Sequence, residues 1–262
     1  MNMLIIGEKI NASIEAVGKA ILDRNVEFIT ELAKAQEAAG ADFIDVNAGG
    51  EVSQGKESIK WLVETIQSVT QKPLSIDSDN PEVIKAGIEV YGERDLIVNS
   101  VSAEPERLYT VGPLAAERKA KVIALAMGAE GIPDNVEQRL EDCETIMDAL
   151  TGMGIKEEQV YFDPLVMPVS VGPRNGIVTL QTIEEIKARF PNSKTVVGLS
   201  NISFGLPDRR LLNHSFLMLA FQAGLDAAIM DSLDRKLMSA VKIAMLFFQQ
   251  GKVGSVLYPD SL

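Results

Sequence analysis

The chain has 262 residues, 46% hydrophobic and 24% charged, which suits one soluble domain with a large core spanning 1–262. Its formal net charge of −12 disfavours nucleic acid or an anionic membrane surface as the main partner. One Cys and one His exclude an intrachain disulfide and make a Cys/His metal site untenable, and no run approaches the ~18 apolar residues of a membrane span, so a cytoplasmic protein with no bound metal is expected.

Eight short apolar runs follow one another along the chain, most ending in a polar or acidic residue. The first, Leu4-Ile5-Ile6, leads at once into Gly7-Glu8-Lys9, unlike a signal peptide. The second ends in Asp45-Val46-Asn47, the third in Ile76-Asp77 and the fourth in Val98-Asn99. The fifth runs from Val122 to Met127, the sixth ends in Phe162-Asp163, the seventh in Ser200-Asn201 and the eighth in Met230-Asp231. Nearly continuous apolar strands are buried on both faces, as in parallel sheets.

Helical periodicity fills the segments between the runs. Ile59, Leu62, Val63, Ile66 and Val69 fall on one stripe, as do Val136, Leu140, Cys143, Ile146, Met147 and Leu150. Asp79-Asn80-Pro81 and Pro133-Asp134-Asn135 read as helix starts, and Gly40, Gly152 and Gly154 as glycines after helix ends. Gly112-Pro113 is expected to interrupt the fourth helix. Eight strands, each followed by a helix, specify an α/β fold, the (β/α)8 TIM barrel, whose strand C-termini converge on one mouth.

Residues far apart in sequence would therefore meet there. Asp77 precedes its helix cap and lies on the strand itself, which favours a ligand contact over capping. Asn99 either satisfies local backbone or reads the edge of a heterocycle, since its amide both donates and accepts. Asp163 is held extended by Pro164, which aims its carboxylate along the barrel axis or into the mouth. Two carboxylates and an amide make a set of acceptors suited to a neutral, donor-rich ring such as an amino-pyrimidinone. A phosphate would call for backbone N–H groups and Lys or Arg. Gly198, Ser200 and Asn201 form the most polar strand end, small residues against which a flat ligand can lie, with Arg209 eight residues on, as either a surface ion pair or part of the site. Met127 is placed at the pocket floor. His214 sits more than a turn past the mouth, too far for a catalytic base, and Cys143 belongs to a helix stripe.

The motifs Gly7-Glu8-Lys9-Ile10-Asn11, Ile76-Asp77-Ser78, Val98-Asn99-Ser100, Phe162-Asp163-Pro164-Leu165 and Gly198-Leu199-Ser200-Asn201-Ile202-Ser203 resemble, in order and across essentially the whole chain, the methyltetrahydrofolate:corrinoid methyltransferases. These pterin-binding barrels are similar to the folate domain of cobalamin-dependent methionine synthase. The resemblance implies that Asp77, Asn99 and Asp163 bind the pterin edge, that Gly198 and Ser200 contact the ring, that Asn201 hydrogen-bonds near the methyl-bearing N5, and that Arg209 stands near the same face. It implies tetrahydrofolate or 5-methyltetrahydrofolate as substrate and a homodimer. No Asp-x-His-x-x-Gly motif is present, so the corrinoid (cobalamin) would arrive on a partner protein. Phe204 departs from relatives that carry an amide at this point. A dihydropteroate synthase-like enzyme is the alternative within the pterin barrels, although no Ser-Arg-Lys or Arg-x-His element for pyrophosphate is found, and a non-catalytic pterin-binding scaffold is the alternative outside catalysis.

Overall fold

Strand order follows chain order. In the computed structural model, which describes residues 3–248, β1 (Leu4–Asn11), β2 (Phe43–Asn47), β3 (Leu74–Asp77), β4 (Leu96–Ser102), β5 (Lys121–Leu125), β6 (Val160–Asp163), β7 (Lys194–Gly198) and β8 (Ala227–Met230) pair in parallel, and β8 closes onto β1. The expected TIM barrel is the observed fold. Of the single domain expected over 1–262, residues 1–2 and 249–262 lie outside the described part.

The strands carry a two-residue alternation that their apolar composition hides. One parity faces outward. Ile44, Val46, Leu74, Ile76, Leu96, Val98, Val122, Ala124, Val160 and Phe162 pack in one cluster with the surrounding helices, and Ile5, Val197, Ala228 and Met230 in a second. The other parity faces the barrel axis. Its lower layer is apolar, with Ile6, Phe43, Ile97, Ile123, Tyr161, Val196 and Ala227 in contact. Two residues further along the strands, the same parity becomes Glu8, Asp45, Asn99, Leu125, Asp163, Gly198 and Ile229, all of which line the mouth. The interior thus changes from an oily plug to a polar floor within one side-chain layer.

Helices α1 (Glu15–Leu22) and α2 (Val26–Ala38) follow β1. Then α3 (Val52–Gln67), α4 (Pro81–Val90), α5 (Pro105–Glu117), α6 (Val136–Gly152), α7 (Asn175–Arg189), α8 (Arg209–Ala223) and α9 (Arg235–Phe248) each follow one strand. The stripes on α3 and α6 are buried as expected, except that Val136 is half-buried and Val69 lies beyond the end of α3, also half-buried. Asn80 and Asn135 cap α4 and α6, accepting from the backbone N–H of Glu82 and Gln138, each at 2.9 Å. Gly40 and Gly154 take left-handed φ of +96° and +88° after their helices, whereas Gly152 is the last residue of α6 itself.

The expected break at Gly112-Pro113 does not occur, because α5 runs through Pro113. Pro113 is exposed, so the carbonyl it leaves unpaired faces water, while Leu108, Val111, Gly112 and Ala115 bury the opposite side. Gly112 lets the Met153 side chain pack close against the helix. A Cβ at this position would come within 2.5 Å of Met153 Sδ.

Candidate active site

A cavity of about 980 Å³ opens at the C-terminal ends of the strands. Strand register builds its first wall, setting Asn47 beside Asp77 and Asp77 beside Asn99. Asn47 Nδ2 donates to Asp77 Oδ2 at 2.8 Å, and Asn99 Nδ2 donates to Asp45 Oδ1 at 3.3 Å. Each carboxylate therefore holds an amide in place while keeping acceptor capacity for the cavity. Arg107 of α5 ties the loops above this wall together. It donates to the carbonyls of Ser100 at 3.0 Å and Ser78 at 2.8 Å, and also to that of Asp79.

Asp163 stands on the second wall and is buried. Its Oδ1 accepts from the backbone N–H of Leu165 at 2.8 Å, a tight Asp-Pro-Leu turn in which Leu165 takes a left-handed φ of +65°. Arg139, buried on α6, holds that turn from outside by donating to the carbonyls of Pro164, Leu165 and Pro133. Arg139 lies one turn along from Val136 on the buried stripe, where an arginine stays only if its donors are met.

The third wall departs from the expected strand. β7 ends at Gly198, and Leu199–Ser203 form a 3₁₀ turn that carries Ser200 and Asn201 over the rim. A Cβ at Gly198 would lie 3.0 Å from Asn201 Nδ2, so a larger residue there would press on that amide. Ser200 Oγ donates to both oxygens of Glu8, at 2.8 and 3.1 Å. Arg209, the first residue of α8, donates to the Ser200 carbonyl at 2.9 Å and to Ser203 Oγ at 3.1 Å. Its guanidinium thus braces the turn rather than resting in a surface ion pair.

Asn201, Asp77, Asn99, Asp163, Gly198, Ser200 and Arg209, drawn from five separate stretches of sequence, all line this one cavity, as does Met127 beyond the end of β5. Sequence reasoning left out Glu8, Asp45 and Arg107, which line it too, and Arg139 behind it. The signal for Glu8 and Asp45 was the alternation, because they share inward parity with Asn99 and Asp163. Nothing in the pattern pointed to the two arginines, whose roles arise from loop geometry. His214 lies outside the cavity, 3.5 Å from Asp234, and Cys143 is buried in the core.

Burial raises the pKa of Glu8, Asp45, Asp77 and Asp163 in the mouth. It lifts Glu8 against the opposing Ser200 hydrogen bond, and lifts Asp77 against the Asn47 hydrogen bond. Asp45 is pushed well above the carboxylate range by burial and then by the neighbouring Asp77 charge. Burial brings Asp163 up to about 6, opposed by the Leu165 N–H and by Arg139. An occupant with several N–H donors would relieve this cost by supplying the hydrogen bonds that the carboxylates lack. Among the described residues no group of three or more His, Cys, Asp or Glu could hold a metal ion, and no helix is long and apolar enough to cross a membrane.

Residues 7–231 match the family described as pterin binding enzyme. The chain is 35% identical over 269 residues to the methylcorrinoid:tetrahydrofolate methyltransferase of Eubacterium limosum, covering 97% of this chain and 99% of that one. It is 33% identical over 241 residues to the methionine synthase of Mycobacterium tuberculosis, a match to 87% of this chain and 20% of that protein. Among solved structures, dihydropteroate synthase from Xanthomonas albilineans in complex with 7,8-dihydropteroate superposes with a TM-score of 0.71 at 18% identity, covering 94% of this chain and 93% of that one. At that identity the likeness is one of fold.

Proposed function

The chain belongs to the pterin binding enzyme family, and on that footing we propose that it transfers a methyl group between N5 of tetrahydrofolate and the cobalt of a corrinoid carried by a separate protein. The observation that carries this reading is the meeting of Asp77, Asn99, Asp163 and Asn201 in one cavity of a chain that aligns end to end with a methylcorrinoid:tetrahydrofolate methyltransferase.

The donor set fits the substrate. A reduced pterin presents N–H groups along its pyrimidinone edge, and Asp77 and Asp163 accept from them while Asn99 both accepts and donates. Gly198 and the 3₁₀ turn offer backbone for the flat ring. Asn201 then lies beside N5. Transfer is a displacement at the methyl carbon: the carbon–N5 bond breaks as the bond to cobalt forms, and N5 keeps the electron pair. A tertiary amine leaves poorly unless it carries a proton, so positive charge must build on N5 by the transition state. The Asn201 side-chain oxygen can accept a hydrogen bond from protonated N5, which stabilises that state more than the neutral ground state. The proton itself comes from solvent or a chain of waters.

Both other readings are less well supported. For dihydropteroate synthase chemistry the likeness is to the fold alone, and Arg107 in the cavity spends its donors on backbone carbonyls rather than standing ready for pyrophosphate. A scaffold would bind methyltetrahydrofolate without turnover. Mixing the protein with 5-methyltetrahydrofolate and cob(I)alamin and following the cobalt spectrum tests the proposal. Methylcobalamin formation supports it, while tight binding without methyl transfer, even with excess reduced corrinoid protein, overturns it. The same reading includes a cytoplasmic homodimer, which light scattering and cell fractionation check.

A further inference from the structure

Phe204 is 64% exposed, yet it lines the mouth cavity. It does not hang from a loose loop. Its N–H donates to the Asn201 carbonyl at 3.1 Å, and its own carbonyl accepts from Ser170 Oγ at 2.7 Å. A second strap, Val169 N–H to the Ile202 carbonyl at 3.1 Å, joins the same two loops. The turn therefore fixes a large apolar ring in water at the cavity rim, three residues from Asn201. Two cations follow it. The Arg209 guanidinium carbon lies 6.0 Å from the ring centroid, and the Arg210 side chain is 89% exposed, with only its Nε near a carboxylate, 3.8 Å from Asp234. In a chain of net charge −12 with a carboxylate-lined mouth, a ring backed by paired arginines marks a different kind of surface.

We propose that Phe204, Arg209 and Arg210 form a subsite for the p-aminobenzoyl-glutamate tail of the folate, with the aryl ring against Phe204 and the glutamate carboxylates toward the arginines. The inference rests on the folate reading above and deepens it. Its geometry follows from the substrate's connectivity. The tail is attached at C6, the ring carbon bonded to N5, so an N5 that meets Asn201 starts the tail on the Asn201 side of the cavity. Asp77, Asn99 and Asp163 occupy the walls that hold the opposite, pyrimidinone edge. Leaving from the Asn201 side, the tail meets the face that the 3₁₀ turn presents, an aromatic ring and then positive charge. Chemically this is the complement of an aryl amide ending in carboxylates.

Two ligands separate this subsite from the ring site: 5-methyltetrahydrofolate, and 5-methyl-6-methyltetrahydropterin, the same ring with a methyl group in place of the tail. Calorimetry on wild type, Phe204→Ala, Phe204→Tyr and Arg210→Ala reads both. Phe204→Ala should weaken methyltetrahydrofolate by about 3- to 10-fold, the range of one aromatic contact, and leave the tailless pterin within about 2-fold, with Phe204→Tyr restoring the folate affinity. Arg210→Ala should weaken only the tailed ligand, and less so as salt is raised. Equal losses for the two ligands would overturn the proposal, giving Phe204 a role in shaping the Asn201 turn. Unchanged affinity for both, with a raised KM for the corrinoid protein, would also overturn it and give the ring to the corrinoid partner. Failure of wild type to bind methyltetrahydrofolate at all would overturn the folate reading itself, and this subsite with it.

Discussion

The Ser200 hydroxyl donates to the Glu8 carboxylate at 2.8 Å, joining β1 to the turn after β7 across 192 residues of sequence. Arg209 holds the other end of the same residue, its carbonyl, at 2.9 Å. Ser200 is therefore pinned at side chain and backbone, and the residue it pins next in the chain is Asn201. Precision at that point matters, because displacing a catalytic group by about 1 Å can cost 10²-fold in rate.

Ser200→Ala and Glu8→Ala should each lower the single-turnover methyl-transfer rate by roughly 10- to 100-fold, with a much smaller change in folate Kd. Since both break one link, the double variant should be little worse than either single one. Fully additive losses would mean that Glu8 and Ser200 act separately.

Asp77→Ala and Asp163→Ala should weaken 5-methyltetrahydrofolate binding by about 10- to 150-fold each, since a hydrogen bond to a charged group contributes about 1.5–3 kcal/mol. The pH dependence carries further information. With burial raising both acids, and Asp163 to about 6, the ligand-free mouth begins to protonate well above the ordinary carboxylate range. A protonated carboxyl loses acceptor strength, so folate affinity in the wild type should fall as pH drops through about 6, with proton release on binding near that pH. Calorimetry in two buffers of different ionisation heat measures the proton count. Wild-type affinity in both variants would remove these residues from the ring site.

Asp163 should also cost the fold stability. Its pKa in the folded state, about 6, lies above the ordinary 3.8, so the folded protein binds the proton more tightly than the unfolded chain. Folding is then best supported below pH ~4, and that contribution is lost as pH rises through about 6, by at most about 3 kcal/mol. Asp163→Asn keeps an oxygen for the Leu165 N–H but cannot ionise. Urea denaturation should show the wild type losing more stability than Asp163→Asn between pH 4.5 and 7.5. Parallel pH profiles for the two proteins would show that Asp163 does not ionise against its burial.

The barrel and the mouth were legible for different reasons. The eight strands show because each is a continuous apolar run bounded by helical stripes, and that pattern survives in any single sequence. Asp77, Asn99 and Asp163 show because they terminate such runs. Glu8, in the Gly7–Asn11 motif, and Asp45, near the end of its run, are marked as cavity residues only by their inward parity, and parity means little until register is known. Asn201 appeared to end a strand because Leu199 and Ile202 continue the apolar pattern, yet their burial serves a 3₁₀ turn. Arg107 and Arg139 reach loops that are distant in sequence, a relation no local pattern encodes. Pro113 misled in the other direction, since packing of the buried face of α5 overrides the intrinsic cost of a proline inside the helix.

Metal chemistry gives a prediction of a different kind. Among the described residues no group of three or more His, Cys, Asp or Glu is arranged to hold a metal ion. Methyl transfer to an added corrinoid acceptor should therefore survive exhaustive chelation. Activity lost on chelation and restored by zinc would mean that Asp77 and Asp163 hold a metal rather than a pterin.

The activation of N5 gives the sharpest test. His214 is outside the cavity, so no imidazole reaches N5. Glu8 holds Ser200, and in the proposed reading Asp77 and Asp163 face the ring's donors. The proposal therefore makes Asn201 the group beside N5 whose interaction strengthens as charge develops there. Asn201→Ala should lower kcat/KM by about 10²-fold or more, the loss seen when one preorganised polar partner is removed, with a smaller loss in folate Kd. Gly198→Ala supplies an intermediate case. Its new Cβ would stand 3.0 Å from Asn201 Nδ2, so the amide must shift by a few tenths of an ångström without being lost. Its single-turnover rate should fall between those of wild type and Asn201→Ala, while Asp77 and Asp163, on the other walls, keep the ring bound. If Asn201→Ala transfers its methyl group at the wild-type rate once saturated with folate, and only Kd rises, Asn201 serves binding alone, and protonated N5 must be stabilised by water or by another residue of the mouth.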